Sequence, residues 1–136
     1  MKRVLEDNAV EKLNKLGYEK CELSIPEQHD IITEFLRSFK EAFEEEGGNL
    51  YSELNWRCDE NYGNIRERFP ILNDYTCIYS FGGGEGGGEN VERLYLYKPK
   101  NILFYVSGWY ESYNGTTWEN EFEIVPELKS VTCLTF

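Results

Sequence analysis

Histidine occurs once in the 136 residues, methionine once, and basic side chains number 14 against 25 acidic ones. With His29 alone, no site can be built on paired imidazoles. The four cysteines, Cys21, Cys58, Cys77 and Cys133, include no CxxC pair and no zinc spacing. No D-x-D-x-D-G run offers a calcium loop, so neither metal nor cofactor is expected. The longest apolar stretch, around Ile102 to Val106, falls far short of the ~20 residues of a membrane helix. Met1 to Asp7 turns acidic before any apolar run develops, which does not read as a signal peptide. Sparse cysteine also excludes a disulfide-dense secreted scaffold and favours reduced thiols in a cytoplasm. A formal charge of −11 and a pI near 4.6 argue against binding nucleic acid or anionic lipid directly. The same sign favours a basic protein as partner.

What is present supports a folded chain, since 40% hydrophobic and 15% aromatic residues supply a core. The length suits one domain, residues 1–136, without repeat or linker. Asn8 and Glu11 read as a helix start, with Leu5, Ala9, Leu13 and Leu16 on one face and Gly17 as the stop. Residues 18–25 read as a short strand or extended link. Ser24 and Glu27 form a capping-box pattern with Pro26 in the first turn. Ile32, Phe35, Leu36, Phe39, Ala42 and Phe43 then keep helical spacing up to Gly47-Gly48. Residues 49–74 are expected to hold a short helix and irregular chain, broken at Asn61, Gly63 and Asn64 and ending at Pro70.

From Tyr75 the period changes to two. Tyr75, Cys77 and Tyr79 alternate with Thr76, Ile78 and Ser80, and Glu92, Leu94 and Leu96 with Arg93, Tyr95 and Tyr97. Ile102 to Val106 and Val131, Cys133 and Thr135 are strand-like, while Lys98 to Asn101 and Asn114-Gly115 read as tight turns. Helices first and strands after predict a two-layer α+β fold, the Ile32–Phe43 face packed on an antiparallel meander. Exposed strand edges would allow a homodimer.

No constellation identifies a reaction. Gly82 to Glu89 is glycine-rich, but no Gly-Lys-Ser/Thr follows and its two glutamates would repel phosphate, so it reads as a hairpin loop or an acidic finger. His29 at a helix start leaves any serine or cysteine nucleophile without an oriented base, and carboxylate pairs are too numerous to point anywhere. The chain is expected not to be an enzyme; an apolar pocket between helix and sheet would be the opposing reading.

Charge placement says more. Residues 41–63 carry 7 acids and 1 base, and residues 107–127 carry 5 acids and no base, which accounts for the whole imbalance. The second segment also holds Trp109, Tyr110, Tyr113 and Trp118. Aromatics beside carboxylates suit a surface that meets arginine and lysine, although Trp109 and Trp118 could instead staple the last hairpin across its strands. The expected partner-binding set is Glu44, Glu45, Glu46, Asp59, Glu60, Glu85, Glu89, Glu111 and Glu119, with Tyr113 as an aromatic anchor.

Gly82–Glu89, Val91-Glu92-Arg93, the run Ser107 to Trp118 and Glu123-Ile124-Val125-Pro126 together resemble the C-terminal strands of small, mostly uncharacterised phage and prophage proteins. The likeness covers residues 75–136. It implies a mobile-element setting inside a bacterial cell and brings no catalytic residue with it. An acidic inhibitor of the anti-CRISPR type, its carboxylates standing in for phosphates on a Cas effector, is the leading expectation. An immunity protein for a cognate nuclease toxin and a phage structural or assembly protein are the alternatives.

Overall fold

Ser24 opens the longest helix through a reciprocal pair of bonds: its hydroxyl accepts from the Glu27 N–H at 3.3 Å, and the Glu27 carboxylate accepts from the Ser24 N–H at 3.2 Å. Two backbone donors that no helical carbonyl can reach are thereby satisfied. The helix that follows, α2 (Ile25–Ala42), has Pro26 in its first turn as predicted, and Phe43 is its C-cap. Its buried stripe is Ile32, Phe35, Leu36 and Phe39. Phe35 meets Tyr97 at 5.0 Å and Tyr75 at 5.6 Å between ring centres, so this face lies on the sheet.

The computed structural model describes residues 7–43, 50–59, 63–81, 89–111, 115–119 and 121–126. Besides α2, it contains α1 (Asp7–Lys15), α3 (Leu50–Asp59) and α4 (Gly63–Arg68), then a 3-10 turn at Pro70–Asn73. The strands are β1 (Tyr75–Phe81), β2 (Glu89–Tyr97), β3 (Ile102–Glu111), β4 (Gly115–Trp118) and β5 (Glu123–Val125). All pairings are antiparallel, in the order β1-β2-β3-β4, with β5 also on β3. This is the α+β architecture that the change of period predicts. Among the described residues no helix is long and apolar enough to cross a membrane.

Several local expectations are corrected. Asn8 lies within α1 rather than capping it, and Leu16 is exposed while Ala9 and Leu13 are buried. Gly17 does end the helix, in the left-handed region at φ 74° that its missing Cβ permits. Of the two readings of residues 18–25, the link holds and the strand does not; Cys21 and Leu23 pack into the core from it. The segment 49–74 is more helical than expected. Gly63 begins α4 instead of breaking the chain, and burial of Tyr51 and Leu54, with Ile65 packed against the core, overrides the weak local propensities. Tyr79 does not share a face with Tyr75, because the register shifts between Cys77 and Tyr79 and the extra residue, Ile78, rotates the rest of β1. The 3-10 turn Lys98–Lys100 bears out the predicted reversal, with Asn101 left-handed at φ 55°. Leu5, Gly47-Gly48, Asn61, Asn114, Val131, Cys133 and Thr135 lie outside the described residues.

The sheet is covered unequally. One face carries Tyr75, Val91, Tyr95, Ile102, Phe104 and Val106 and packs against α2 and α3. The reverse face carries Leu94, Leu96 and Leu103, against which α1 sets Ala9 and Leu13. Among the described residues, α1 and Tyr18 just after it are what pack on this face from outside the sheet. At the β1 border the Cys77 N–H donates to Cys58 Sγ at 2.8 Å, and the Cys77 carbonyl accepts from Lys12 Nζ at 2.7 Å.

Replacing Ser24 with alanine removes the hydroxyl half of the α2 cap and leaves the main-chain N–H of residue 24 to donate to Glu27. The Glu27 carboxyl is held below the ordinary carboxylate range, first by the Ser24 hydroxyl and then by its N–H. A carboxyl depressed in this way stabilises the fold above its unfolded pKa and loses that contribution as pH falls through its folded value. S24A is expected to lower the thermal midpoint by about 3–5 °C at neutral pH. The gap from the parent should narrow below the carboxylate range, as followed by circular dichroism.

Candidate functional site

β4 and β5 lie against the same border of β3, but not in one register. Gly108 faces Trp118 in the first pairing, and Tyr105 faces Glu123 in the second. The pairing therefore gains two residues on the outer side, and the segment from Glu119 to Phe122 stands opposite only Val106 and Ser107. Such an insertion locally breaks the ladder and bends the chain. Glu119 still ties it down, donating its N–H to the Ser107 carbonyl at 3.0 Å.

Extended chain turns successive side chains to opposite sides. Phe122 and Ile124 go inward, where Phe122 approaches Phe104 at 6.1 Å and stacks on His29 at 4.6 Å. His29 is exposed. Glu121 and Glu123 go outward, and with Glu119 they form a row of exposed carboxylates. None of the three has a hydrogen bond or ion pair from its carboxylate among the described residues. Together with Asn90 and Glu92 of β2 and Tyr105 and Ser107 of β3, they line a cleft of about 510 Å³ on the part of the sheet beyond α1. No described lysine or arginine lines it.

Glu92 is buried, and its Oε1 accepts from the Tyr105 hydroxyl at 2.9 Å. Burial, and next the charge of Glu121, push the Tyr51 hydroxyl above its ordinary pKa. Tyr51 and Glu121 meet again in a smaller hollow of about 280 Å³, which His29 and Thr33 line from α2. The inserted segment thus separates two depressions, one on each side of the sheet.

The two tryptophans part company. Trp118 is buried, lying over Gly108 and packing against Tyr51 at 6.2 Å and beneath the Arg93 guanidinium at 5.7 Å. Trp109 is 44% exposed on the reverse face, paired across the strands with Asn90 and Thr117 at the rim of the acidic cleft. They therefore cannot staple one hairpin face.

Of the expected partner-binding residues, Glu119 lines the cleft. Glu89 and Glu111 occupy neighbouring positions at one end of the sheet, since Glu89 faces Tyr110. Asp59 ends α3 beside Cys58, at the β1 border, and β2 and β3 intervene between it and Glu119. Glu44, Glu45, Glu46, Glu60, Glu85 and Tyr113 lie outside the described residues. Sequence reasoning missed Glu92, Tyr105, Glu121 and Glu123. For Glu121 and Glu123 the alternation Glu121-Phe122-Glu123-Ile124 was the available signal, because burying Phe122 and Ile124 turns the two glutamates to the other side.

Gly108 holds the cleft's floor. A Cβ there would come within 2.6 Å of the Thr117 carbonyl oxygen and 3.1 Å of Trp118 Cα, both main-chain atoms. G108A should push β4 away from β3 and cost about 1–3 kcal/mol, measured by urea denaturation. An unchanged midpoint would show that the two strands are not held this closely.

Compared with protein-family models, curated proteins and solved structures, the chain matches none of them.

Proposed function

We propose that the chain is a non-enzymatic inhibitor that occupies a basic, nucleic-acid-binding protein surface with carboxylates in place of phosphates. The observation that carries this reading is the row Glu119, Glu121 and Glu123, without a hydrogen bond or ion pair among the described residues and lying near the exposed Trp109. Like charges crowded on one cleft repel one another, at about 1 kcal/mol per contacting pair in water, and bring the fold nothing in return. A cationic partner reverses the sign of that term. Arginine suits it best, because its guanidinium can donate to carboxylates from its edge while its face lies on an indole. The resemblance to phage proteins makes Cas effectors the first class of partner to test.

The purified chain is titrated against a panel of Cas effectors and other basic nucleases, with double-stranded DNA as competitor. Binding should weaken steeply as ionic strength rises, and DNA should displace the chain. Absence of binding at low salt across the panel, or binding that DNA leaves untouched, would overturn the proposal.

A further inference from the structure

Cys58 and Cys77 stand 19 residues apart in the chain, and α3 carries one to the other. The Cys58 sulfur touches the main chain of Cys77, 2.8 Å from its nitrogen, while the Cys77 thiol donates to the Tyr79 carbonyl at 3.5 Å. A disulfide places its two Cα atoms ~4.4–6.8 Å apart. A sulfur 2.8 Å from the partner's main-chain nitrogen lies within one side chain's length of the partner's sulfur, a separation that rotation about the two side-chain bonds can shorten. The two thiols also converge on the same tyrosines. Burial first, then both cysteines, raise the Tyr75 and Tyr95 hydroxyls above their ordinary pKa. Cys58 and Cys77 are each half-buried, open to a small oxidant, whereas Cys21 is buried in the core alongside α2.

We infer that Cys58 and Cys77 form a redox-active dithiol, which a hydroperoxide converts to a disulfide clamping α3 to β1. One sulfur, as thiolate, attacks a peroxide oxygen; the O–O bond breaks, a sulfenic acid forms, and water or an alcohol leaves. The second thiol's sulfur then attacks the sulfenic sulfur and expels hydroxide, which takes that thiol's proton and departs as water. The two thiols lose two electrons, and hydrogen peroxide becomes two waters. In a reducing compartment the dithiol is the resting form, and the bond appears only under oxidant. The ring so closed contains α4 and the 3-10 turn after it. At its other end α3 sets Tyr51 against Trp118, so the clamp stiffens the platform behind the acidic cleft.

The test uses the full chain, reduced, freed of reductant and treated with hydrogen peroxide at a small molar excess. The intact mass should fall by two hydrogens, and non-reducing peptide mapping should join the Cys58 and Cys77 peptides. The thermal midpoint should rise by about 10 °C and return on adding dithiothreitol. C77S should leave Cys58 as a sulfenic acid that dimedone traps, with no internal link. Linkage to Cys21 or Cys133, or full alkylation of both thiols after peroxide, would overturn the assignment. Neither result depends on any partner, so this inference and the proposed inhibition fail separately.

Discussion

Reversing three charges at once, E119K/E121K/E123K, is expected to weaken binding to the basic partner at least 100-fold while leaving the circular dichroism spectrum unchanged. All three side chains are exposed and make no hydrogen bond or ion pair among the described residues, so reversing their sign should leave the fold in place. Exposed ion pairs contribute about 0.2–1 kcal/mol each, and reversal replaces each attraction by a repulsion of similar size. Three reversals together reach the ~2.7 kcal/mol that a hundredfold change represents. The loss should be largest at low salt, because the Debye length shrinks from ~30 Å at 0.01 M to ~8 Å at 0.15 M. Reversing Glu22 and Glu67, which are exposed on α1's trailing link and on α4, provides the control and should change affinity little. Equal losses in both variants would mean that net charge, not this cleft, attracts the partner.

Truncating Phe104 to alanine should produce the largest loss of stability, about 3–5 kcal/mol. The ring is fully buried at the point where the sheet meets α2, stacked on Tyr95 at 5.3 Å and edge-on to Phe35 at 6.3 Å. Its removal empties a space that three aromatic neighbours cannot close, since rings do not flow into gaps. Against a typical total of ~5–15 kcal/mol, such a loss leaves the chain close to unfolding at body temperature. Phe122 also rests on Phe104, so the carboxylate row should lose its inner anchor and partner affinity should fall with stability. A urea midpoint within experimental error of the parent would show that the aromatic cluster is not the centre of the core.

Much of the architecture was legible because α2 declares itself twice, in the Ser24–Glu27 box and in apolar spacing that agrees with it. The meander was legible for the same reason, each strand period bounded by its own turn residues. What stayed hidden depends on contacts between distant parts. The bulge at Ile78 leaves no mark on an alternation that looks regular from Tyr75 to Ser80. The placement of α1 on the reverse face explains why Leu94, Tyr95 and Leu96 run apolar without a break, a pattern that reads equally well as one buried strand of any sheet. The acidic cleft was half legible: composition located the charge in residues 107–127 and alternation puts Glu121 and Glu123 on one side, but the two-residue insertion that interrupts the ladder between β4 and β5 is a matter of register. Glu92 was invisible, since its role comes from Tyr105 across the strand.

The two borders of the sheet bear on how readily another strand can join it. On one side a lysine from α1 and a thiol from α3 occupy the main-chain groups of Cys77 that would otherwise await a neighbour's strand. On the other, the last rung is split into pieces of four and three residues with glutamates between them. Unfinished ladders are what let β-rich chains zip onto one another and grow into fibres. Each border here offers a further strand fewer free main-chain groups than an uninterrupted edge of the same length, and the second also sets carboxylates in its way.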